Sequence, residues 1–501
     1  MNQQAIENLP VEALRGLCLD LAGEVERLQD LLALAHRRRF AASSEQLLHP
    51  GMRLLFPEQV KAIEDEAAAS KDEEVEVKSY KRRGGRRRFP EALPREDIPL
   101  DLPESDRVCD CCGHREWLKK ISERFSEKLH YQPALYKVIR YIRSIYSCSK
   151  CETIKAAPLP PHPLPKTSVT TETLAQIAVS KYMDALPLYR QSEIFARHGI
   201  DISRDKMARW MIGIALLCRP LVDRLHLRLL SGNLVQMDET GFQVLSEPGR
   251  DATSKSYMIV QARGDPQGKT IVIFHYETSR SKVTVKELLG NFKGTLLTDG
   301  LKVYASLCLA EEGLVAAGCW MHARRRFIDA QKATKKRRRG SVCARMLGLI
   351  DGLFKIESDV KTASADKRLE ARARRSAPIL EKIKVLIDEN IGLYPKDSLM
   401  GDALGYARNQ WGPLNAFLAN GTIEIHNGLV ENFIRPFAVG RRNWLFAEST
   451  DGADASATLY SLLVTAKANG INPYQYLCRI LSELPKIQRS EDYDALLPFR
   501  I

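Results

Sequence analysis

Residues 234–242 read LVQMDETGF, an apolar run that ends on two adjacent acids, Asp238 and Glu239, with a turn-forming Thr-Gly behind them. A second apolar run, GTLLTDG, ends on Asp299, and a third acid, Glu431, stands in IEIHNGLVENFIRPFAVGRRNWLFAES among Arg435, Arg441 and Arg442. Acids at strand ends stay hydrated and can meet across neighbouring strands. Three such carboxylates suit phosphodiester chemistry, which at neutral pH needs a strong nucleophile and neutralisation of charge on a pentavalent transition state. Two Mg²⁺ (or Mn²⁺) ions roughly 3.5–4 Å apart supply both, one activating water or a 3′-hydroxyl and the other stabilising the leaving oxygen. Such hard cations take oxygen ligands from a few carboxylates, with water and substrate phosphate completing the shell. Strand alternation puts Leu234, Gln236 and Asp238 on one face and Glu239 on the other, so both acids cannot serve one metal pair. Taken alone, Glu431 reads as an ordinary salt-bridge partner of a nearby arginine. Arg435, one helical turn after it, is placed to orient the carboxylate or hold a phosphate.

A different chemistry is written in Cys109-Asp-Cys111-Cys112-Gly113-His114 and Cys148-Ser-Lys-Cys151. Two C-x-x-C knuckles, Cys109 with Cys112 and Cys148 with Cys151, fit one tetrahedral structural Zn²⁺. Cys111 and His114 could replace one of the four, and unligated buried thiols are the plainer alternative.

These groups need elements to carry them. From Gly232 the pattern reads as three strands, NLVQMDETGFQVL, KSYMIVQARG and KTIVIFHYE, followed by alternating helix and strand: KVTVKELLGNF, GTLLTDG, LKVYASLCLAEEG and LVAAGCWMHARRRF. That order predicts a mixed sheet with helices on its faces, and the architecture resembles RNase H. The fold class expected is therefore multidomain α+β: an RNase H-like α/β catalytic core with a helical insertion, preceded by helical and zinc-binding DNA-binding modules.

The divisions follow composition. Residues 1–48 hold a leucine-rich helix, with Leu14, Leu17, Leu21, Val25, Leu28 and Leu31 at near-heptad spacing, as a short coiled coil or an ordinary packed helix would have. Residues 49–100 pass from an acidic run to KRRGGRRR, which has linker composition and includes Arg86 and Arg87, a basic arm able to follow a DNA groove. The zinc module spans 101–157, and PLPPHPLP (158–165) makes a semi-rigid spacer. Within 166–230, SEIFARHGIDISRDKMARWM has the length of a helix-turn-helix, with Ser203 as N-cap and Arg204, Lys206 and Arg209 on the second helix; a plain helical hairpin fits equally. The core occupies 231–330 and 406–470, split by a basic helical insertion at 331–405, and 471–501 is a helical tail.

Seventy-five Lys and Arg against 62 Asp and Glu leave a formal charge of +13, gathered in runs such as KRRGGRRR, HARRR and KKRRR. Polyanions are the expected partners, double-stranded DNA above all. His322, Arg324 and Arg325 in the HARRR run are candidates to contact DNA or the site, although a lone His after a strand is more often structural. Trp320 and Trp444 could stack on bases, but core packing is the simpler role. No apolar stretch has membrane-spanning length and no signal-peptide layout opens the chain, so a cytoplasmic, nucleoid-associated protein without a membrane partner is expected. Eleven cysteines, two pairs of them in knuckles, point to reduced thiols.

LVQMDETGF, GTLLTDG, GCWMHARRRF and NGLVENFIRPFAVGRRNWLF occur in the order of the IS66-family transposases of bacterial insertion sequences, which this chain resembles over nearly its whole length. RRRFAASSEQL, RFPEALPREDIPLDLP, the four-cysteine module and INPYQYLCRILSELP add to the likeness. The resemblance implies a DDE triad on an RNase H-like fold: Asp238, Asp299 and Glu431, the last preferred over Glu448. It also implies binding of terminal inverted repeats, metal-dependent cleavage and strand transfer, a homo-oligomer in a paired-end complex, and small accessory proteins of the same element. The chain departs from the pattern in the residue after the first RRRF and in the extra thiol Cys111. A structure-selective nuclease or resolvase on the same fold, or a non-catalytic DNA-binding regulator, are the alternatives.

Overall fold

A computed structural model describes residues 136–147, 154–264, 268–333 and 341–499. They fall in two compact units, divided between Leu159 and Pro160. In the smaller, β1 (Ile145–Ser147) pairs antiparallel with β2 (Ile154–Ala156), Ile145 opposite Ala156. Cys148 and Cys151 lie in the connection, outside the described residues, as do Cys109, Cys111, Cys112, His114, Arg86, Arg87 and the leucine-rich segment.

The larger unit opens with three helices, α1 (Thr171–Tyr182), α2 (Leu188–Arg197) and α3 (Arg204–Leu230). Pro187, which cannot donate a backbone hydrogen bond, precedes α2, and Gly199 at φ 72° permits the reversal before α3. The Ser203 side chain accepts from the Lys206 N–H and so caps α3. The region 166–230, expected to bind DNA, packs on the sheet. Met207, Ile214, Cys218, Leu225 and Leu229 of α3 are buried in the same core as the strands, so α3 is a wall of the sheet domain.

The sheet is built on β3 (Leu234–Ser246), β4 (Lys255–Gly264), β5 (Thr270–Glu277), β6 (Gly294–Thr298) and β7 (Leu314–Gly318), in the order β5-β4-β3-β6-β7. The first three strands are antiparallel neighbours, while β6 runs parallel to β3 and β7 parallel to β6. The helices α4 (Lys282–Leu289) and α5 (Lys302–Ala310) are the connections that parallel pairing requires. Thus β3 is central and mixed, as the sequence pattern requires. After β7 come α6 (Trp320–Ala333) and an insertion; the chain returns as α12 (Gly428–Trp444), β8 (Phe446–Ser449), which pairs parallel with the end of β3, α13 (Thr450–Ala468) and α14 (Pro473–Glu483).

The edge of β5 is closed by side chains. Thr465 and Asn469 each exchange hydrogen bonds with the backbone N–H and C=O of Val272 and Thr270 respectively, and Ser461 accepts from the Phe274 N–H. Four helical residues rise about 6 Å and two strand residues about 6.6 Å, so polar residues spaced by four on α13 meet alternate backbone groups on the strand. An edge that would otherwise template pairing with another chain is satisfied within the molecule.

The insertion comprises α7 (Val342–Asp359), α8 (Ala365–Ala371), α9 (Ala377–Asn390), α10 (Leu399–Asn409) and α11 (Trp411–Asn415), then a 3₁₀ turn at Ala416–Leu418. It therefore continues beyond the expected limit of 405. It has its own core, which reaches the sheet through Leu234, Leu297 and Ala317. Trp320 belongs to that core: it is fully buried and its Nε1–H donates to the Leu414 carbonyl at 2.7 Å, which makes packing its role. Trp444 likewise packs on Phe242 and Phe437.

Arg372 holds the insertion together from a wide π-type turn between α8 and α9. Its fully buried guanidinium donates twice to Glu357, at 2.8 and 2.7 Å, and to the carbonyls of Phe417, Asn420 and Ile423. Those bonds use every N–H that arginine has. Arg372→Met leaves Glu357 and three carbonyls without their donor, with an expected loss of about 3–5 kcal/mol. Urea unfolding of the full chain measures it, and a loss below about 1 kcal/mol would show that the network contributes little.

Candidate active site

Alternation along β3 decides between the two adjacent acids. Gln236, Asp238 and Thr240 face α12: the Gln236 side chain accepts from the Val430 N–H, and Arg441 donates to Thr240 Oγ1. Glu239 faces the other way and is already engaged. Its carboxylate accepts from Arg280 Nη1 at 2.8 Å and from the Tyr304 hydroxyl at 2.7 Å, and its side chain is only 4 % exposed. Asp238 keeps one oxygen on the Glu239 N–H at 2.9 Å. Burial, then the charges of Glu431, Glu239 and Asp299, push the Asp238 carboxyl well above its ordinary range. Asp238 thus lies within electrostatic reach of both Asp299 and Glu431.

Asp299 follows β6 directly. Its Oδ1 accepts from the Leu301 N–H at 3.0 Å, and its carbonyl accepts from the Tyr406 hydroxyl at 2.7 Å. Gly300 is needed here: it adopts φ +84°, and a Cβ would lie 2.7 Å from that hydroxyl oxygen. The insertion therefore buttresses the acid-bearing turn through α10.

Glu431 lies in the first turn of α12, whose start is tied down at several points. Buried Asn427 donates from its side chain to the Met237 carbonyl at 2.8 Å and from its backbone to Cys319 Sγ at 3.2 Å. The Trp320 N–H donates to the Ile425 carbonyl, and Gln236 and Arg263 both bind Glu424. An acid at a helix start is also favoured by the helix dipole.

The nitrogen groups beside Glu431 come from α6. His322 Nδ1 is 3.5 Å from one carboxylate oxygen and Arg325 Nη2 is 4.0 Å from the other. Arg435, the cation expected to orient this carboxylate, is exposed and makes no ion pair with Glu431. His322 and Arg325, three apart on α6, stand beside the carboxylate from the facing helix instead. The Arg324 side chain is 4 % exposed and bound to Asp351 at 2.8 Å. Arg441 is directed inward to Thr240 and the Gly241 carbonyl, whereas Arg442 is exposed. On α3, Arg204 and Arg209 are exposed, while half-buried Lys206 donates to Ser168 Oγ and lies over Trp210. Glu448 is exposed on β8, opposite the far end of β3, roughly 20 Å along the strand from Asp238.

Beside His322 and Arg325 opens a cleft of about 250 Å³, bounded also by Arg326, Asp329, Leu399 and Asp402. Among the described residues the tight group of metal-capable donors is Cys319, His322 and Glu431, with ligand atoms within 4.8 Å of one another. The three acids are not one such cage, and ions roughly 3.5–4 Å apart need ligands spread more widely than a single ion does. Crowded carboxylates around Asp238, with mutual repulsion relieved by added positive charge, fit divalent cations. Sequence reasoning missed Tyr304, Arg280, Asn427 and Cys319; the Cys-x-x-His spacing of Cys319 and His322 was the available signal.

Comparison with known proteins gives the class, then the family. Four family descriptions match: "Transposase IS66 family" over residues 166–455, "IS66 C-terminal element" over 461–499, "zinc-finger binding domain of transposase IS66" over 106–152 and "Transposase C of IS166 homeodomain" over 27–98. These define a transposase with DNA-binding domains. The chain belongs to the IS66 transposase family. Among its relatives are the uncharacterized protein y4jD of Sinorhizobium fredii (strain NBRC 101917 / NGR234), 33 % identical over 95 % of this chain and 94 % of the relative. The uncharacterized protein y4qI of the same strain is 31 % identical over 95 % and 89 %. No helix among the described residues is long and apolar enough to cross a membrane.

A carboxyl with a raised native pKa binds more protons folded than unfolded, so stability rises as pH falls from neutral through that raised value toward the ordinary carboxylate range. Asp238→Asn removes the repelled charge without changing shape. It is expected to raise the thermal midpoint of the protein without added Mg²⁺ at neutral pH, and to lessen both the acid-side gain and the stabilisation by Mg²⁺. A lower midpoint with an undiminished Mg²⁺ response would contradict the assignment.

Proposed function

We propose that this chain is a DNA transposase that cuts at the ends of its element and joins the freed 3′ ends to target DNA, with Asp238, Asp299 and Glu431 as the metal-holding acids. The observation that carries the proposal is the placement of the acids: Asp238 on the central strand, Asp299 directly after the neighbouring strand β6 and Glu431 in the first turn of the helix packed on them. The sheet order adds support, since three antiparallel strands followed by parallel β6 and β7 are what an RNase H-like core requires. Two Mg²⁺ or Mn²⁺ ions held by these acids would activate the attacking oxygen and stabilise the leaving one.

The chain's own groups set the geometry. Arg280 and Tyr304 keep Glu239 on the opposite face, leaving Asp238 to face α12. His322 and Arg325 orient Glu431, and Arg325 is partly exposed toward the cleft, where a phosphate can reach it. Cleavage forms a bond from water oxygen to phosphorus and breaks the bond to the 3′ oxygen, which departs as a hydroxyl. In joining, that hydroxyl attacks a target phosphodiester and displaces another 3′ oxygen. In-line displacement of this kind needs no covalent protein intermediate. Arg204, Arg209, Arg435, Arg442 and the basic arm with Arg86 and Arg87 are proposed DNA contacts, and Cys109, Cys112, Cys148 and Cys151 the ligands of one structural Zn²⁺. A homo-oligomer would allow both element ends to be cut together.

The test is cleavage and joining by the full chain with Mg²⁺ and duplexes carrying the element's terminal repeats. Asp238→Ala, Asp299→Ala and Glu431→Ala are each expected to keep DNA binding and to lose cleavage by roughly 10²–10³-fold or more. Full activity in any one shows that the triad is misassigned. Cleavage without joining favours the resolvase alternative.

A further inference from the structure

We infer that Cys319, His322 and Glu431 form a second, soft-metal site, selective for a Zn²⁺-class ion and overlapping the acid cluster at Glu431. Cys319 immediately precedes α6 and His322 lies three residues later, so both donors meet on one side of the first turn. Glu431 arrives from the first turn of α12, held there by the Asn427 N–H donating to Cys319 Sγ and by the Trp320 N–H donating to the Ile425 carbonyl. The three ligand atoms lie within 4.8 Å of one another, with His322 Nδ1 3.5 Å from Glu431 Oε1. A tetrahedral ion with bonds of 2.0–2.3 Å sets its ligands about 3.3–3.7 Å apart, so the group needs only a small closure.

The donor set determines which ion fits. Sulfur, imidazole nitrogen and one carboxylate suit Zn²⁺, Co²⁺ or Cd²⁺, whereas Mg²⁺ requires oxygen. With three protein ligands the fourth position falls to water or a phosphate oxygen. Binding turns the thiol into a thiolate and releases one proton to solvent. An ion held in this way occupies a carboxylate that the oxygen-bound pair needs, so Zn²⁺ opposes Mg²⁺. The binding stands on geometry alone, and the antagonism rests on the role proposed for Glu431.

Zinc content of the full chain, measured after saturation with Zn²⁺ and desalting, tests the site without reference to activity. The four-cysteine module accounts for one equivalent, and wild type is expected to hold two. Cys319→Ser, which retains an acceptor for the Asn427 N–H, and His322→Ala should each hold one. A Co²⁺-loaded wild-type protein should also lose part of its thiolate charge-transfer absorption in Cys319→Ser. A single equivalent in wild type, or two in both variants, overturns the site. For the antagonism, Mg²⁺-driven cleavage is titrated with Zn²⁺, each protein normalised to its own rate without added Zn²⁺. The inhibition midpoint should rise at least about 10-fold in Cys319→Ser, a factor equivalent to 1.4 kcal/mol; an unmoved midpoint overturns competition. A wild type that cleaves nothing in Mg²⁺ alone overturns the catalytic reading and with it the antagonism, while the zinc content still decides the site.

Discussion

A buried carboxyl, Asp238, set among other acids is the constraint on which the site depends. One carboxyl on the central strand is crowded by Glu431, Glu239 and Asp299, and a protein can hold such a group only if the remaining charges are separately managed. Glu239 is neutralised by Arg280 and a tyrosine hydroxyl on the opposite face of the sheet. Glu431 is flanked by an imidazole and a guanidinium from α6. Asp299 has one oxygen satisfied by its own turn. Among the described residues neither Asp238 nor Asp299 has an ion-pair partner, so a bound cation would act on these two acids most directly.

Holding acids together against repulsion requires rigid supports, and the architecture supplies them from two cores. The first joins the sheet to α3, α12, α13 and α14, closing the β5 edge with Ser461, Thr465 and Asn469. The second packs the insertion against α6 and the β6–β7 side of the sheet. Glu431 stands where the two meet: α12 belongs to the first core, while Cys319 and the first turn of α6 belong to the second. Tyr406 on α10 and the turn around Asp299 make a similar link. The insertion is thus a structural wall of the acid cluster.

Much of this was legible in the residues. Apolar runs ending in MDET and LTDG marked strands that terminate on acids, and three strands followed by alternating helix and strand gave the mixed sheet. Ser203 as a cap, Pro187 and Gly199 as breaks, and the opposite faces of Asp238 and Glu239 all follow from local stereochemistry. That α3 of the 166–230 region packs on the sheet was not legible, because periodicity shows that a helix has an apolar face but not what covers it. The setting of Arg324 was hidden for a related reason: in a run of three arginines, charge pattern does not reveal which side chain turns inward to Asp351.

The sequence by itself determined the residue types, their strand and helix settings and the face on which each acid sits, because these depend on neighbours a few residues away. Only the tertiary structure decided the partners: His322 and Arg325 rather than Arg435 beside Glu431, Tyr304 and Arg280 on Glu239, and Tyr406 beneath Asp299. These contacts join residues far apart in the chain, and their pairing follows from how helices pack on the sheet. Spacing along a single element does not contain that information.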